Sequence, residues 1–419
     1  MKKIISLMMS ATIMFTAVVQ EFVTYTDSYS ADSVINVDEH TPEEIKQYID
    51  SHHFSISARN KFTVEPSAEY PYSAGVPDDE TLYNALNALN CMRYIAGLSE
   101  VSLNSEYNEL TQYASLVNCV NNFLTHYPEQ PADMPDEMYE LGKKGASSSN
   151  ITGGNSSHTL AYSVLLYMND SDNSNLSRIG HRRWCLNPDM RETGFGLVGR
   201  YSAMYSIDNG RTDAEETGVC WPAQNMPVEY FKSLISYYNS PAWSISMGMD
   251  LNESDIKVSL IRKSDLKEWD FSSTSADGDF YVNNDNIGQK GCIIFSPSDI
   301  SYSAGDVFDV RIEGMEEPVE YSVSFFSLSD IPGEWTTYSL GDINCDGFIN
   351  SLDASNVLTE YSLLSVNQTG ILNDEQRKAA DINSDSLINT GDASMILSFY
   401  SYISTTADDI SMEEWLLLL

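Results

Sequence analysis

The sequence predicts a multidomain chain: an α+β region, then an all-β sandwich, then a small all-α module. Three observations carry this. Residues 80–230 hold stretches whose apolar residues recur at three- and four-residue steps, followed by short strand-like runs. From Ala242 the texture changes to brief β-rich runs divided by turn residues. Near the C-terminus, "DINCDGFINSLDASNVLTEYS" at 342–362 recurs as "DINSDSLINTGDASMILSFYS" at 381–401. A chain of 419 residues is too long for one ordinary core, and a hydrophobic content of 42% is that of globular domains.

The N-terminus, "MKKIISLMMSATIMFTAVV", joins Lys2 and Lys3 to an apolar run from Ile4 to Val19, which predicts a secretory signal peptide within residues 1–31. The run is short for a bilayer span, so the expectation is a secreted, extracellular chain with no stable membrane span once matured. The net charge of −38, from 61 acidic and 23 basic side chains, argues against nucleic acid or an anionic membrane as partner. Six cysteines contain no CxxC pair, which excludes zinc-ribbon and thioredoxin-like motifs and leaves disulfides and free thiols both open.

Residues 32–79 read as an N-terminal helix and a connector. Thr41, Pro42 and Glu44 form an N-cap, a first-turn proline and a capping box. In "LYNALNALNCMRYIAGL" the apolar steps predict a helix that Gly97 ends. "SEYNELTQYASLVNCVNNFLTHYP" predicts a second helix, stopped by Pro128, with His126 at its end. A polar loop is expected to about Ser157, then a third helix over "HTLAYSVLLYM". "TGFGLVG" and "YSAMYSI" read as strands. The β-sandwich is expected over 231–330, as a spacer or a binding module.

The repeat carries the most specific chemistry. Asp342, Asn344, Asp346, Asn350 and Asp353 stand at loop positions 1, 3, 5, 9 and 12, with the Phe348 carbonyl at position 7. The second copy offers Asp381, Asn383, Asp385, Leu387, Asn389 and Asp392 in the same frame. Calcium takes six to eight oxygens at such spacing, so two calcium ions are expected. Position 12 is Asp rather than the bidentate Glu of sensor loops, and "SLSDIPGEWTTYSLG" before the first loop is not helical. Ser386 stands where Gly347 supplies the sharp turn of the first loop, which predicts weaker binding at the second site.

Residues 331–404 resemble a type I-like dockerin, the duplicated loop-helix module of cellulosomal proteins, with 405–419 as a tail. The resemblance implies a module folded by calcium, a cohesin on a scaffold protein as partner, and a polysaccharide-degradation setting. It places partner-reading positions at Ser351 and Leu352 in one half and at Thr390 and Gly391 in the other, so the halves differ.

"ALNCMRYIAGL", "FLTHYP" and "GHRRWCLNP…TGFG" resemble the bacterial branch of the CAP superfamily, which covers cysteine-rich secretory and pathogenesis-related proteins. The resemblance implies, over 80–230, an α-β-α sandwich whose cleft holds two histidines and two acids. His126 and His181 match the imidazoles, and Asp170 matches one acid. Ser149 stands where the other acid is expected. Two imidazoles and a carboxylate suit a divalent metal or general acid/base chemistry. The expected role is to bind a lipid, peptide, wall fragment or glycan. The alternative is a peptidase-like hydrolase using His126, His181 and Asp170; a glycoside hydrolase would need two facing carboxylates, and the sequence marks none. His40, His52, His53 and His158 read as surface or cap residues, and Arg182, Arg183 and Trp184 as packing and salt-bridge groups.

Overall fold

The structure is a computed structural model that describes residues 35–154, 158–231, 241–331, 339–344, 349–366, 368–406 and 410–418. The expected signal peptide, Asp346 and Phe348 lie outside the described residues.

Among the described residues six α-helices precede the sandwich: α1 (Pro42–Ser51), α2 (Asp79–Ile95), α3 (Ser105–Asn121), α4 (Asp136–Ser147), α5 (Leu160–Asn169) and α6 (Gly180–Cys185). Thr41 caps α1 by accepting from the Glu44 N–H, while Glu44 accepts from the Thr41 N–H at 2.8 Å. Gly97, at φ +72°, follows the end of α2.

Helix α3 ends earlier than its apolar pattern predicts. Asn122 adopts the left-handed conformation at φ +48°, and Asn118 Oδ1 accepts from the Thr125 N–H at 2.8 Å. His126 therefore sits in the following loop rather than at a helix end. The polar stretch read as a loop contains α4. Its glycines, which weaken a helix prediction, allow close packing on α3. A Cβ at Gly145 would collide with the Leu110 carbonyl, and one at Gly142 would lie 2.8 Å from the Tyr113 oxygen.

The first strands are β1 (Phe62–Val64), β2 (Val76–Pro77), β3 (Ser102–Leu103), β4 (Ser149–Gly153), β5 (Glu192–Thr193), β6 (Phe195–Val198) and β7 (Tyr201–Tyr205). Strands β4, β7 and β6 form an antiparallel three-stranded sheet in that order. β8 (Val219–Trp221) and β9 (Asn225–Pro227) precede residue 231 yet belong to the sandwich. With β10 (Trp243–Ser246), β11 (Lys257–Arg262), β12 (Lys267–Ser272), β13 (Gly278–Asn283), β14 (Cys292–Pro297), β15 (Val307–Glu313) and β16 (Val319–Phe326), they make two sheets of order β13-β14-β10-β8 and β12-β11-β15-β16-β9. β16 alternates buried Val319, Tyr321 and Val323 with outward Glu320 and Ser322. Rings from the two sheets meet: Trp243 lies 5.5 Å from Phe308 in edge-to-face contact.

This sandwich is no detached spacer. Leu89 and Met92 of α2, Val164 and Met168 of α5, and Trp221, Trp243 and Phe308 of the sandwich share one continuous apolar core.

The C-terminal region is helical: α7 (Ser351–Ser365), α8 (Asp374–Ala380), α9 (Thr390–Thr406) and α10 (Met412–Leu416). It has its own core of Ile343, Val357, Ile382, Ile396, Phe399 and Trp415. The expected tail after 404 is part of that core, because Met412 and Trp415 are buried and Trp415 packs edge-on against Phe399 at 5.7 Å. Among the described residues no helix is long and apolar enough to cross a membrane.

Candidate functional site

The two repeated loops share one construction. In the first, Asp353 Oδ1 accepts from the N–H groups of Ile343 and Asn344 at 2.9 and 3.2 Å, and Oδ2 accepts from the Asn350 N–H at 2.9 Å. In the second, Asp392 Oδ1 accepts from Ile382 and Asn383 at 3.0 and 3.5 Å, and Oδ2 accepts from Asn389 at 2.9 Å. Both position-12 carboxylates are fully buried, and Asp342 nearly so. Carboxylate oxygens gathered at these loop positions and held by backbone N–H groups are the hard oxygen donors that calcium takes, so this donor set fits a bound cation.

The rest of the second loop follows the same logic. Asp381 accepts from the N–H groups of Asp385 and Ser386 at 3.0 and 2.9 Å, Asn383 Oδ1 accepts from Asp385 at 3.0 Å, and Asp385 Oδ1 accepts from Leu387 at 2.8 Å. These turns draw the side-chain oxygens of positions 1, 3 and 5 into the loop. The position-9 residues do something else. Asn350 Oδ1 caps α7 by accepting from Leu352 N–H at 2.8 Å, and Asn389 Oδ1 accepts from Gly391 N–H at 2.7 Å. They fix the exit helix, a role consistent with reaching an ion through water at that position. Of the expected partner-reading residues, Ser351, Leu352 and Thr390 are exposed and Gly391 is half-buried. The spacing reading missed a repeated apolar pair on the outer face. Leu358 and Tyr361 of α7 are 41% and 42% exposed, and their repeat partners Leu397 and Tyr400 of α9 are 44% and 43% exposed. Their identity in both copies, off the buried stripe, was the available signal.

The second site lies in the N-terminal region. His126 Nδ1 is 2.9 Å from the Ala146 carbonyl, which can only accept, so Nδ1 carries the proton and Nε2 holds the lone pair of the neutral ring. His181 Nδ1 lies 2.8 Å from Asp170 Oδ1, whose side chain is fully buried. Asp170 Oδ2 accepts from the Arg182 N–H at 3.2 Å. Asn175 ties the loop together: its Nδ2 donates to Asp170 Oδ1, and its Oδ1 accepts from Arg178 Nε at 2.9 Å. Neither imidazole Nε2 has a hydrogen-bond partner among the described residues. Asn175 and Arg178 are the residues that sequence reasoning missed here; only the Asn/Ser/Asp loop character of 169–177 hinted at them.

The environments push the two rings apart. Burial lowers the His126 pKa, opposed by the Ala146 bond and reinforced by nearby His181 and Arg178. Burial also opposes charge on His181, but the charge and hydrogen bond of Asp170 together with the charge of Asp172 outweigh it and raise the pKa. Asp170, Asp172 and His181 also bring one oxygen or nitrogen each within 4.8 Å of one another. Because Asp170 already accepts from His181, Asn175 and the Arg182 N–H, it acts as an orienter of the ring, and this group does not fit a ready metal cage. Ser149, at the expected position of the other acid, is buried with no hydrogen-bond partner for its hydroxyl. Two surface hollows among the described residues hold neither His126 nor His181; one is lined by His40, Ala96 and Gln224, the other by Arg59, Asn60 and Glu80.

Two other readings are corrected. His158 is no surface residue: it is buried, with Nε2 between the Ser163 and Ser202 hydroxyls at 2.8 and 3.1 Å. Arg182 and Arg183 make no salt bridges among the described residues; both are buried and donate to oxygens of the protein. The described cysteines are free thiols.

No curated protein matches the chain. Dockerin type I domains bind calcium, and a dockerin implies a cohesin partner in a cellulosome-type assembly. Residues 340–398, which span both loops and most of α7 to α9, match the family model of the dockerin type I domain.

Proposed function

We propose that this protein is a secreted component of a cellulosome-type assembly, plugged into a scaffold cohesin by its calcium-folded C-terminal module. The observation that carries this is the pair of buried position-12 carboxylates, Asp353 and Asp392, each gathering three N–H groups of its loop. Two calcium ions complete the loops through Asp342, Asn344, Asp346, the Phe348 carbonyl and Asp353, and through Asp381, Asn383, Asp385, the Leu387 carbonyl and Asp392. Asn350 and Asn389 contribute through the helix starts they cap. The cohesin-facing surface takes in Ser351, Leu352, Thr390 and Gly391 and extends to the exposed Leu358–Tyr361 and Leu397–Tyr400 pairs. The test is capture of the full chain on scaffold cohesins, with and without chelator. Capture that ignores chelation sinks the reading.

The cargo is a CAP-like region whose His126–His181 site binds a lipid, peptide, wall fragment or glycan. A second reading, a peptidase-like hydrolase, is favoured by one observation: the environments lower one imidazole's pKa and raise the other's. Such a split assigns His126 as base and His181 as acid, with Asp170 holding the acid in place. Peptide cleavage by the intact chain that disappears in both His126→Ala and His181→Ala supports hydrolysis. Retained ligand binding with no turnover in the parent chain leaves binding as the function.

A further inference from the structure

In "GHRR" two arginines follow the site histidine directly, and they are 0% and 3% exposed. A guanidinium taken out of water is costly unless its donors are met. Arg182 donates through Nε to the Met168 carbonyl at 2.7 Å and through Nη2 to the Asn169 carbonyl at 3.0 Å, immediately before Asp170. Its Nη1 donates to the Ala242 carbonyl at 2.6 Å and to Ser244 Oγ at 3.2 Å, at the start of β10. Arg183 donates through Nη1 to the Arg178 carbonyl at 3.3 Å and to Asn283 Oδ1 at 2.5 Å. Its Nη2 donates to the carbonyls of Asp285 and Gln289 at 2.7 and 2.8 Å. One arginine thus joins the end of α5 to the sandwich, and the other joins the loop 170–179 to the sandwich loop 283–289.

The sandwich loop also seats directly on α6. Ile287 Cδ1 lies 3.8 Å from where a Cβ on Gly180 would stand. Gly288, at φ +57°, approaches so closely that a Cβ there would lie 2.5 Å from the Arg183 carbonyl. Against this seat the loop 170–179 is strained at both ends: Asp170 has φ +46°, and Ile179, β-branched and buried, has φ +39°. Such conformations persist only where the surroundings over-determine them.

We propose that the β-sandwich is a positioning part of the His126–His181 site: through Arg182 and Arg183 it holds the strained loop 170–179 in the shape that aligns Asp170 with the His181 ring. Arg182 and Arg183 are positioning residues, and loop 283–289 is the part of the sandwich they grip. The alignment concerns His181 itself and holds whether the site only binds its ligand or also reacts with it. The charged and titratable groups around that ring are Asp170, Asp172, Arg178 and the neutral His126.

The test uses the full chain with nitrogen-15-labelled histidine and two sandwich variants, Gly288→Ala and Asn283→Ala. Ser322→Ala, on the outward face of β16, is the control. The readouts are the His181 ring-nitrogen shifts, which report whether Nδ1 carries the bonded proton, and amide deuterium uptake over 170–181 against uptake over α3. In Gly288→Ala the His181 signature is lost, and uptake over 170–181 quickens by about tenfold or more while α3 is unchanged. Asn283→Ala, which removes one acceptor without forcing the backbone, gives the same change in smaller degree. An unchanged His181 signature in a folded variant overturns the proposal, and so does uptake that quickens equally in α3. If Gly288→Ala fails to fold, Asn283→Ala decides alone.

Discussion

The C-terminal loops and the His126–His181 site answer the problem of buried charge in opposite ways. In the loops, the buried carboxylates of Asp353 and Asp392 each gather three backbone N–H groups, and on the proposed reading a calcium ion brings the charge that balances them. Around the histidine site, Arg182 and Arg183 are buried cations; Arg182 through Nε, Nη1 and Nη2 and Arg183 through Nη1 and Nη2 donate to oxygens of the chain itself. On these proposals one region is finished by an ion, the other by a neighbouring sheet. The first should therefore depend on metal for its fold and the second should not.

Chelation breaks the comparison most sharply. Removing calcium should melt the helical region around Ile343, Val357, Ile382 and Ile396 and abolish cohesin capture, while the core that unites α2, α5 and the sandwich keeps its own thermal transition. Asp353→Ala should act in the same direction with calcium present. Three bonds to an ionised acceptor are lost with the ligand, so a cost of at least about 3 kcal/mol is expected. Scanning calorimetry with and without chelator checks both, and a helical transition that chelator leaves in place contradicts the metal-dependent half of the contrast.

Asp170→Asn tests the other half. The side chain keeps its shape but loses the charge that raises the His181 pKa, in a fully buried position. A loss of about 3 kcal/mol is expected, the low end for a broken buried pair because the His181 side chain is 28% exposed. The folded-state pKa of His181 is raised, so the pair's contribution is fully present below the unfolded value and fades as pH rises through the folded one. Urea unfolding of both proteins across that range should show their difference shrinking with rising pH, and no change on adding chelator.

The contrast also explains what could be read in advance. The dockerin module was legible because its expected ligands lie within 342–353 and 381–392, and a repeat doubles a local signal. The resemblance put His181 and Asp170 in one cleft, but their hydrogen bond was not legible in it. Nor were Asn175, Arg178 and the grip of Arg182 on Ala242, because they exist only once distant segments meet. Helix α4 was hidden for the same kind of reason. Gly142 and Gly145 speak for a loop locally and are required by the approach to Tyr113 and Leu110 of α3. The sandwich boundary was drawn after β8 and β9 because a three-residue strand carries no periodicity, only a partner: Cys220 opposite Ile245, and Met226 opposite Phe325.

His158 gives a smaller effect, confined to acid. Burial lowers its pKa from 6.5 to about 4. A histidine with a lowered folded pKa leaves stability whole above the unfolded value and takes it away as pH falls toward the folded one. The N-terminal core should thus weaken between about pH 6.5 and 4, and His158→Gln, keeping a polar partner for Ser163 and Ser202, should flatten that limb. An acid limb of the same slope in the variant assigns the loss to other groups.

The smallest effect sharpens the comparison inside the repeat itself. Ser386 is at φ +66°, held there by its N–H bond to Asp381 at 2.9 Å, whereas the first loop has Gly347 at that place. A non-glycine residue in this region costs about 1 kcal/mol, and that strain must be sustained when the loop closes on its ion. Ser386→Gly should therefore tighten the second calcium site by about fivefold, partly offset by the greater freedom of glycine in the open loop. Titration calorimetry that resolves the two sites reads this directly. The first site should not move, because its turn is local to its own loop. A variant whose second site gains nothing would mean that the backbone strain at Ser386 is already relieved by the Asp381 bond. The two loops would then differ in sequence without differing in strength.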